Sequence, residues 1–400
     1  MKVRIYNHLG TAGGFGVAAE GLCMSLLQAG AELEIRPLRS SALAVDDGAA
    51  LERLPVAIRQ CIRADAELTT PDVAIVHTLP GDCPTVRRIV RETERHPDAG
   101  ARYPWVAYTT WEASSAPAAL VQALDESFDE IWHPSTYSAD AFDEHLGDPP
   151  LCNVIPHAFD EATLEHRGLR CAGSDLDVYR FYYIGSWNNR KNPAALIRAY
   201  AHAFGTETST AQLLLACGAV PRERFTHALA CTGLDVRALQ TRIKLSTQWL
   251  RDDDIAKLHQ SADCFVTATR GEAWNLPAFD AMLAGRHIIA PQGTGHCDFL
   301  TRTSAVLYQS YPAPAAVDVT VSELANGWNV QVVGAQGLTS REVWPEPDIQ
   351  GLATHMRAAH DRRVSELRID YDPRTRYGYR AVGELAMGRL RALLTTTRKV

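Results

Sequence analysis

Residues 182–200, YYIGSWNNRKNPAALIRAY, run from an apolar strand through a polar turn into a helix, and the turn carries Arg190 and Lys191 just ahead of Pro193. Proline suits the first position of a helix, so Pro193 opens it. Two adjacent cations at a helix start suit a diphosphate, because the helix dipole adds to their charge. The plain alternative is a pair of solvated surface charges. Residues 267–291, TATRGEAWNLPAFDAMLAGRHIIAP, follow the order strand, loop, helix, strand. Glu272 falls in the loop and Asp280 in the helix, one carboxylate near the helix start and one about two turns in. A ribose diol can donate twice to a carboxylate, and a sugar offers more hydroxyls. The backbone N–H groups of Ala273, Trp274, Asn275 and Leu276 stand at the helix start, where phosphate oxygens are received.

Outward from these stretches, short apolar runs alternate with longer amphipathic ones. VRIY, ELEIRPL, DVAIVH, WVAYTT, EIWHPS and CNVIPH read as strands in the first half, and YRFYYIGS, AQLLLACG, RIKLS and CFVTAT restart the alternation in the second. Strands alternating with helices predict α/β architecture with parallel sheets covered on both faces. The polar stretch around residues 160–178 separates the halves. The expected domains are 1–165 and 166–375, both doubly wound and Rossmann-like, with a C-terminal helix over 376–400. A cleft between two such domains would face the carboxyl ends of both sheets, where ligands bind in these folds.

The totals agree with two globular domains: 400 residues, 46% hydrophobic and 22% charged. A net charge of −7 gives no general attraction to nucleic acid or anionic lipid. Nine cysteines without a CxxC pair argue against a disulfide framework or zinc site and for reduced thiols in a cytoplasm. The apolar part of MKVRIYNHLG is too short for a signal-peptide core, and no run approaches the roughly 20 apolar residues of a membrane span.

Residues 8–21, HLGTAGGFGVAAEG, form a glycine turn between strand and helix. GFGVAA, from Gly14 to Ala19, fits GxGxxG/A, and Glu34 ends the next strand 20 residues beyond Gly14, so a dinucleotide site is one reading. A tight turn without a ligand, or a backbone cradle for a phosphate or sugar, are the others.

Taken together, these features resemble the family 4 retaining glycosyltransferases of the GT-B fold. The resemblance rests on Gly13-Gly14-Phe15-Gly16 as the GGxG loop, Arg190-Lys191-Asn192 as the RK(G/N) segment, and Glu272 to Asp280 as the Glu-x7-Glu motif. It extends through WVAYTTWEAS, DEIWHPSTYSADAF, NVIPHAFDE and WPEPDIQGLATHMR, similar to a branch with a TMFE-like stretch. The second acid is an aspartate here, and GSWNN occupies the segment where many members carry an arginine ahead of the lysine.

The resemblance implies transfer of a sugar from a nucleotide-diphosphate donor, UDP- or GDP-linked, to an acceptor hydroxyl, with no cofactor and no metal. The first domain would bind the acceptor and the second the donor. Lys191, Arg190 and the backbone near Trp274 and Asn275 would stabilise the departing diphosphate. Glu272 would hold the donor sugar and Asp280 the ribose. The base would lie against the loops at Cys217–Val220, with Gly218 among the donor-binding residues, and Gln248–Leu250, with Trp249 stacked on it. Gly14, Phe15 and Gly16 would meet the donor from the first domain. His77 and Glu112, at strand ends, would bind the acceptor or orient its hydroxyl. His133 and His157 also stand at strand ends, His157 as a structural residue. The expected acceptor is a saccharide, with a modified nucleic-acid base or a protein left open. RDDDI, residues 251–255, invites a metal reading, but its acids suit a helix N-terminus. Two other functions compete: an NAD-type oxidoreductase reading Gly14, Gly16 and Glu34, and a GT-B-like sugar-binding subunit without catalysis.

Overall fold

The computed structural model describes residues 1–11, 13–38, 51–63, 69–93, 102–143, 152–166, 177–206, 210–302, 304–315 and 343–397. Ala12 of the glycine turn and residues 167–176 of the expected linker lie outside them. The chain divides into two compact units, one built from Met1–Glu161 and Asp372–Val400, the other from Ala162–Asp318 and Val343–Tyr371.

The first unit alternates β1 (Lys2–Asn7), α1 (Gly14–Gln28), β2 (Glu32–Pro37), α2 (Val56–Arg59), β3 (Val73–His77), α3 (Cys83–Thr93), β4 (Trp105–Tyr108), α4 (Ala118–Asp125), β5 (Glu130–His133), α5 (Thr136–Asp143) and β6 (Cys152–Val154). Its six parallel strands lie in the order β2-β1-β3-β4-β5-β6. Strands β1, β3, β4 and β5 are buried in continuous runs rather than alternately, β3 throughout, because helices cover both faces of a parallel sheet. Chain direction across the sheet reverses between β1 and β3, so the crevice for a ligand opens at their carboxyl ends.

The second unit alternates β7 (Tyr179–Ile184), α6 (Pro193–Phe204), β8 (Ala211–Ala216), α7 (Arg222–Ala230), α8 (Val236–Gln240), β9 (Ile243–Ser246), α9 (Asp252–Ser261), β10 (Cys264–Val266), α10 (Leu276–Leu283), β11 (His287–Pro291) and β12 (Val306–Tyr308). The six-strand order is β12-β11-β10-β7-β8-β9, the Rossmann order, with its switch point between β7 and β10. A two-stranded antiparallel ribbon, β13 (Ser310–Pro314) with β14 (Val343–Pro347), and α11 (Ile349–Asp361) complete it. Tyr179, Phe181, Leu196, Phe204, Leu213, Val266, Leu352 and Met356 fill one core with β7 at its centre.

Two terminal helices, α12 (Arg374–Tyr377) and α13 (Tyr379–Thr397), return to the first unit. Val382, Ala386, Met387 and Leu390 enter the core around Val3, Ile5, Leu22 and Leu26. The approach of α13 to α1 depends on Gly383: a Cβ there would stand 2.0 Å from the carbonyl oxygen of Ser25. Among the described residues the eight cysteines are free thiols, and no helix is long and apolar enough to cross a membrane.

Candidate active site

The loops after β7 and β10 rise side by side from the second switch point and are tied together. Arg270 N donates to the Arg190 carbonyl at 2.7 Å, and the Arg270 guanidinium reaches the carbonyl and Oδ1 of Asn189, each at 2.6 Å. Arg270 is itself held by Glu346 on β14. Asn188 Oδ1 accepts from Lys191 N at 2.8 Å, and Asn192 takes a left-handed conformation before Pro193 starts α6. This local geometry brings Arg190, Lys191 and Glu272 together. Lys191 Nζ lies 2.8 and 2.7 Å from the two carboxylate oxygens of Glu272. Arg190 Nη1 stands 3.5 Å from Glu272 Oε2 and donates to the Gly271 carbonyl at 2.5 Å.

The three side chains are largely shielded from water. Burial alone would raise the Glu272 carboxyl; Lys191 and then Arg190 overcome it and hold the group below its ordinary range. Two cations against one carboxylate leave an excess positive charge in a sheltered place, an electrostatic setting that favours an anion. The Glu272 carbonyl accepts from Gly295 N at 2.9 Å, and a side chain at Gly295 would put a Cβ 2.2 Å from the Ala273 carbonyl oxygen. His296 fixes that turn, its Nε2 on the Pro291 carbonyl at 2.6 Å and its Nδ1 on Thr294 Oγ1 at 2.8 Å.

At the start of α10, Asn275 is left-handed and its side chain accepts from Ala278 N. Pro277 has no N–H, so the Leu276 N–H remains without a partner among the described residues. The indole of Trp274 packs inward between Phe279 and Phe299. Asp280 does not join the Glu272 cluster: burial, then the charge of Asp252 at the start of α9, pushes its carboxyl up to about 7. Trp249 is 71% exposed, and its ring lies 3.4 Å from where a Cβ on Gly218 would stand. The ends of β8 and β9 therefore bring Gly218 and Trp249 together with one indole face over the glycine. Asp252, Asp253 and Asp254 occupy the first turn of α9, where Asp254 accepts from Arg251 N at 3.3 Å.

In the first unit the glycine turn has a tighter cause than ligand approach. Gly13 has φ +105°, and a Cβ on Gly16 would stand 1.9 Å from the Thr11 carbonyl oxygen. Phe15 projects its ring to 5.8 Å from those of His8 and His77. His77 is buried at the end of β3, stacked on Tyr108 at 4.7 Å, and desolvation holds its imidazole well below the usual range. Glu112 is half-buried on the loop after β4, and its carbonyl accepts from Tyr137 at 3.5 Å. His133 and His157 are both pushed down to about 3 by burial. His133 bonds Ser138 and His157 bonds Tyr108.

Glu34 does not end its strand, contrary to the dinucleotide reading. Glu34 sits within β2, beside Arg4 in register, and its carboxylate takes the Arg4 guanidinium at 3.0 and 2.7 Å together with Thr69. It closes a buried ion pair and has no freedom to meet a ribose at the end of the strand, which removes the acid from the dinucleotide fingerprint.

Residues 179–325 match the family model of the group 1 glycosyl transferases. The matched region carries Arg190, Lys191, Glu272 and Asp280. No curated protein matches the chain in sequence. Among solved structures, the chain is similar to Alr3699/HepE of Anabaena in complex with UDP and glucose, at 13% identity and TM-score 0.58 over 100% of this chain and 98% of that one. Sucrose-phosphate synthase from Thermosynechococcus elongatus gives 14% identity and TM-score 0.59 over 98% and 94% of the two chains. The lipopolysaccharide outer core galactosyltransferase WaaB in its apo form gives 10% and 0.58 over the full length of both. At these identities the likeness establishes the fold, which is GT-B.

Sequence reasoning missed His8, whose Nε2 lies 2.7 Å from Thr78 Oγ1, and the brace made by Arg270 with Glu346. It also missed the Gly293–His296 turn under Glu272. The GTGH run of residues 293–296 was the available signal for that turn.

Proposed function

We propose that this protein is a retaining glycosyltransferase that moves a sugar from a nucleotide-diphosphate donor, UDP- or GDP-linked, to an acceptor hydroxyl. The observation that carries the proposal is the sheltered Lys191–Glu272–Arg190 cluster at the second switch point, inside the region matched by the group 1 glycosyl transferase model. The difficult event in such a transfer is departure of the diphosphate while positive charge develops on the sugar, so fixed donors aimed at the leaving group do most of the work. Arg190, Lys191 and the backbone N–H of Leu276, with those of Ala273 to Asn275, take that role. Glu272 holds the donor sugar's hydroxyls and, by pairing with Lys191, aims the ammonium before the donor arrives.

Asp280 binds the ribose and Trp249 stacks on the base above Gly218. Gly14, Phe15 and Gly16 keep a donor-binding role, with His77 and Glu112 assigned to the acceptor. The leaving phosphate takes the acceptor proton on the face it departs from, so no covalent nucleophile is assigned, and the reaction needs no metal or other cofactor. HepE structures with UDP and with UDP-glucose support a uridine donor as the first to try.

The test is release of free nucleotide from a panel of UDP- and GDP-sugars by the full chain, with and without chelator, and NMR of the product's anomeric centre. Donor-dependent release that survives chelation, with retained configuration, is the expected result. Nucleotide binding without turnover on every donor would favour the non-catalytic sugar-binding subunit instead.

A further inference from the structure

We propose that the first unit carries a site for a soluble phosphate ester, held between Arg87 and Arg91 of α3 at the end of the sheet away from the switch point. It uses none of the residues assigned to sugar transfer, so it is independent of that reading. Strand register fixes the place. Trp105 opens β4 beside Ala74, and His77 closes β3 beside Tyr108, so Trp105 stands at the amino ends of the strands and His77 at their carboxyl ends. Beside Trp105, α3 and the turn after α4 line a cavity of about 490 Å³ with Thr85, Arg87, Arg88, Arg91, Glu92 and Ser127. That volume is in the range of small-molecule sites.

Arg87 is held before any ligand arrives. Its guanidinium carbon lies 5.7 Å from the centroid of the Trp105 ring and 5.9 Å from that of Phe128. Trp105 is stacked in turn on Tyr103 at 5.5 Å and on Tyr6 at 5.9 Å. A guanidinium suits both an aromatic face and the oxygens of a phosphate, and one fixed by rings loses less freedom on binding. Its Nε is buried without a hydrogen-bond partner, a cost that an acceptor oxygen removes.

The charge around it is unbalanced in a chain of net charge −7. Among the described residues Arg88 is paired with Glu92, at 3.4 Å on the exposed rim, whereas Arg91 has no such partner. Asp129, the carboxylate acting on Arg87, already accepts from Trp105 N at 2.8 Å. Burial, and then the charge of Arg91, draw the Arg87 guanidinium below its ordinary range. The two cations are thus close enough to repel, and a dianion between them turns that repulsion into attraction. The terminal oxygens of a phosphate ester accept from both planar forks, where a single carboxylate serves one. Thr85 and Ser127 on the cavity wall supply hydroxyls for the polar remainder of the ester.

The experiment is an NMR titration of the full chain, carrying isotope-labelled arginine, with inorganic phosphate, glucose 6-phosphate and glucose at constant ionic strength. The readout is the Nε–H signal of Arg87, assigned with Arg87→Met. Both phosphates are expected to move that signal to saturation, and glucose to leave it in place. Arg91→Gln, a change at an exposed position, should weaken phosphate binding about tenfold or more, the scale of one charge-assisted bond. Arg88→Gln should change it by less than about twofold, because its rim pair is worth little. Lys191→Ala, which alters the anion cluster of the other unit, should leave the Arg87 response intact. An Arg87 signal indifferent to both phosphates, one moved equally by chloride, or an affinity unaffected by Arg91→Gln would overturn the proposal. So would sedimentation with phosphatidic acid vesicles by a protein that ignores both soluble phosphates.

Discussion

The two sheets end in switch points of the same kind and opposite chemistry. After β7 and β10 the loops gather Arg190 and Lys191 around Glu272, with a cation in excess; after β1 and β3 they gather two neutral imidazoles, a phenyl ring and a threonine hydroxyl. Parallel strand order fixes where a ligand can lie, and the loop side chains decide what it is. In the second unit the loops are braced by hydrogen bonds between themselves and by β14 behind them, so the charge is held before any ligand arrives. In the first unit the brace is the turn itself, which needs a positive φ at Gly13 and leaves no room for a Cβ at Gly16. Of the two glycines that look like a cofactor fingerprint, Gly16 is required by backbone geometry alone.

The sharpest way to break the comparison is to take the cation away. Lys191→Ala is expected to slow nucleotide release by about 10²–10³-fold, the scale of losing one donor to a developing anion, with far-UV circular dichroism unchanged. Near-normal turnover would remove Lys191 from the leaving-group role. Glu272→Gln acts from the other side by leaving two sheltered cations without their carboxylate. It should cost about 3–5 kcal/mol in denaturant unfolding of the free protein, and part of that loss should return on adding UDP.

Asp280 supplies a pH test. Its carboxyl is pushed up to about 7 by burial and then by Asp252, so it is largely protonated at pH 6 and ionised at pH 8. A raised carboxyl favours the folded state when protonated. Its contribution to stability is therefore full below the ordinary value of 3.8 and is lost as pH rises through about 7. The ionised form is the stronger acceptor for a ribose diol, so UDP affinity should rise severalfold from pH 6 to 8, and Asp280→Asn should flatten that rise in a calorimetric titration. The smallest expected effect is at Trp249: with the ring 71% exposed, Trp249→Ala should leave the melting temperature within a degree or two. It should weaken UDP binding by about 1–3 kcal/mol if the base stacks there, the range for base–aromatic stacking. Unchanged UDP affinity would return Trp249 to simple packing over Gly218.

The fold was legible because parallel strands buried on both faces leave continuous apolar runs such as DVAIVH and YRFYYI, and because Pro193 and the polar turns mark where helices begin. The cluster at the second switch point was legible in part. RKN and GEAWN name Arg190, Lys191 and Glu272, but their pairing with one another spans a separation no local pattern encodes. That the charge of Asp252 acts on Asp280 depends on how α9 and α10 pack, which residue spacing along one helix does not specify. Glu34 misled for the same reason: only strand register reveals that Arg4 stands opposite it. His8 carried no signal at all, since a lone histidine after a strand becomes notable only when β3 brings Thr78 and His77 beside it.

The role proposed for the Lys191–Glu272–Arg190 cluster is to hold a diphosphate. Comparing the affinities of UDP and uridine for the unaltered protein and for Lys191→Ala tests it most directly. UDP is expected to bind about 10²-fold or more tightly than uridine, and the substitution to close most of that gap while leaving uridine binding unchanged. Equal affinity for UDP and uridine, or a gap indifferent to Lys191, would contradict it.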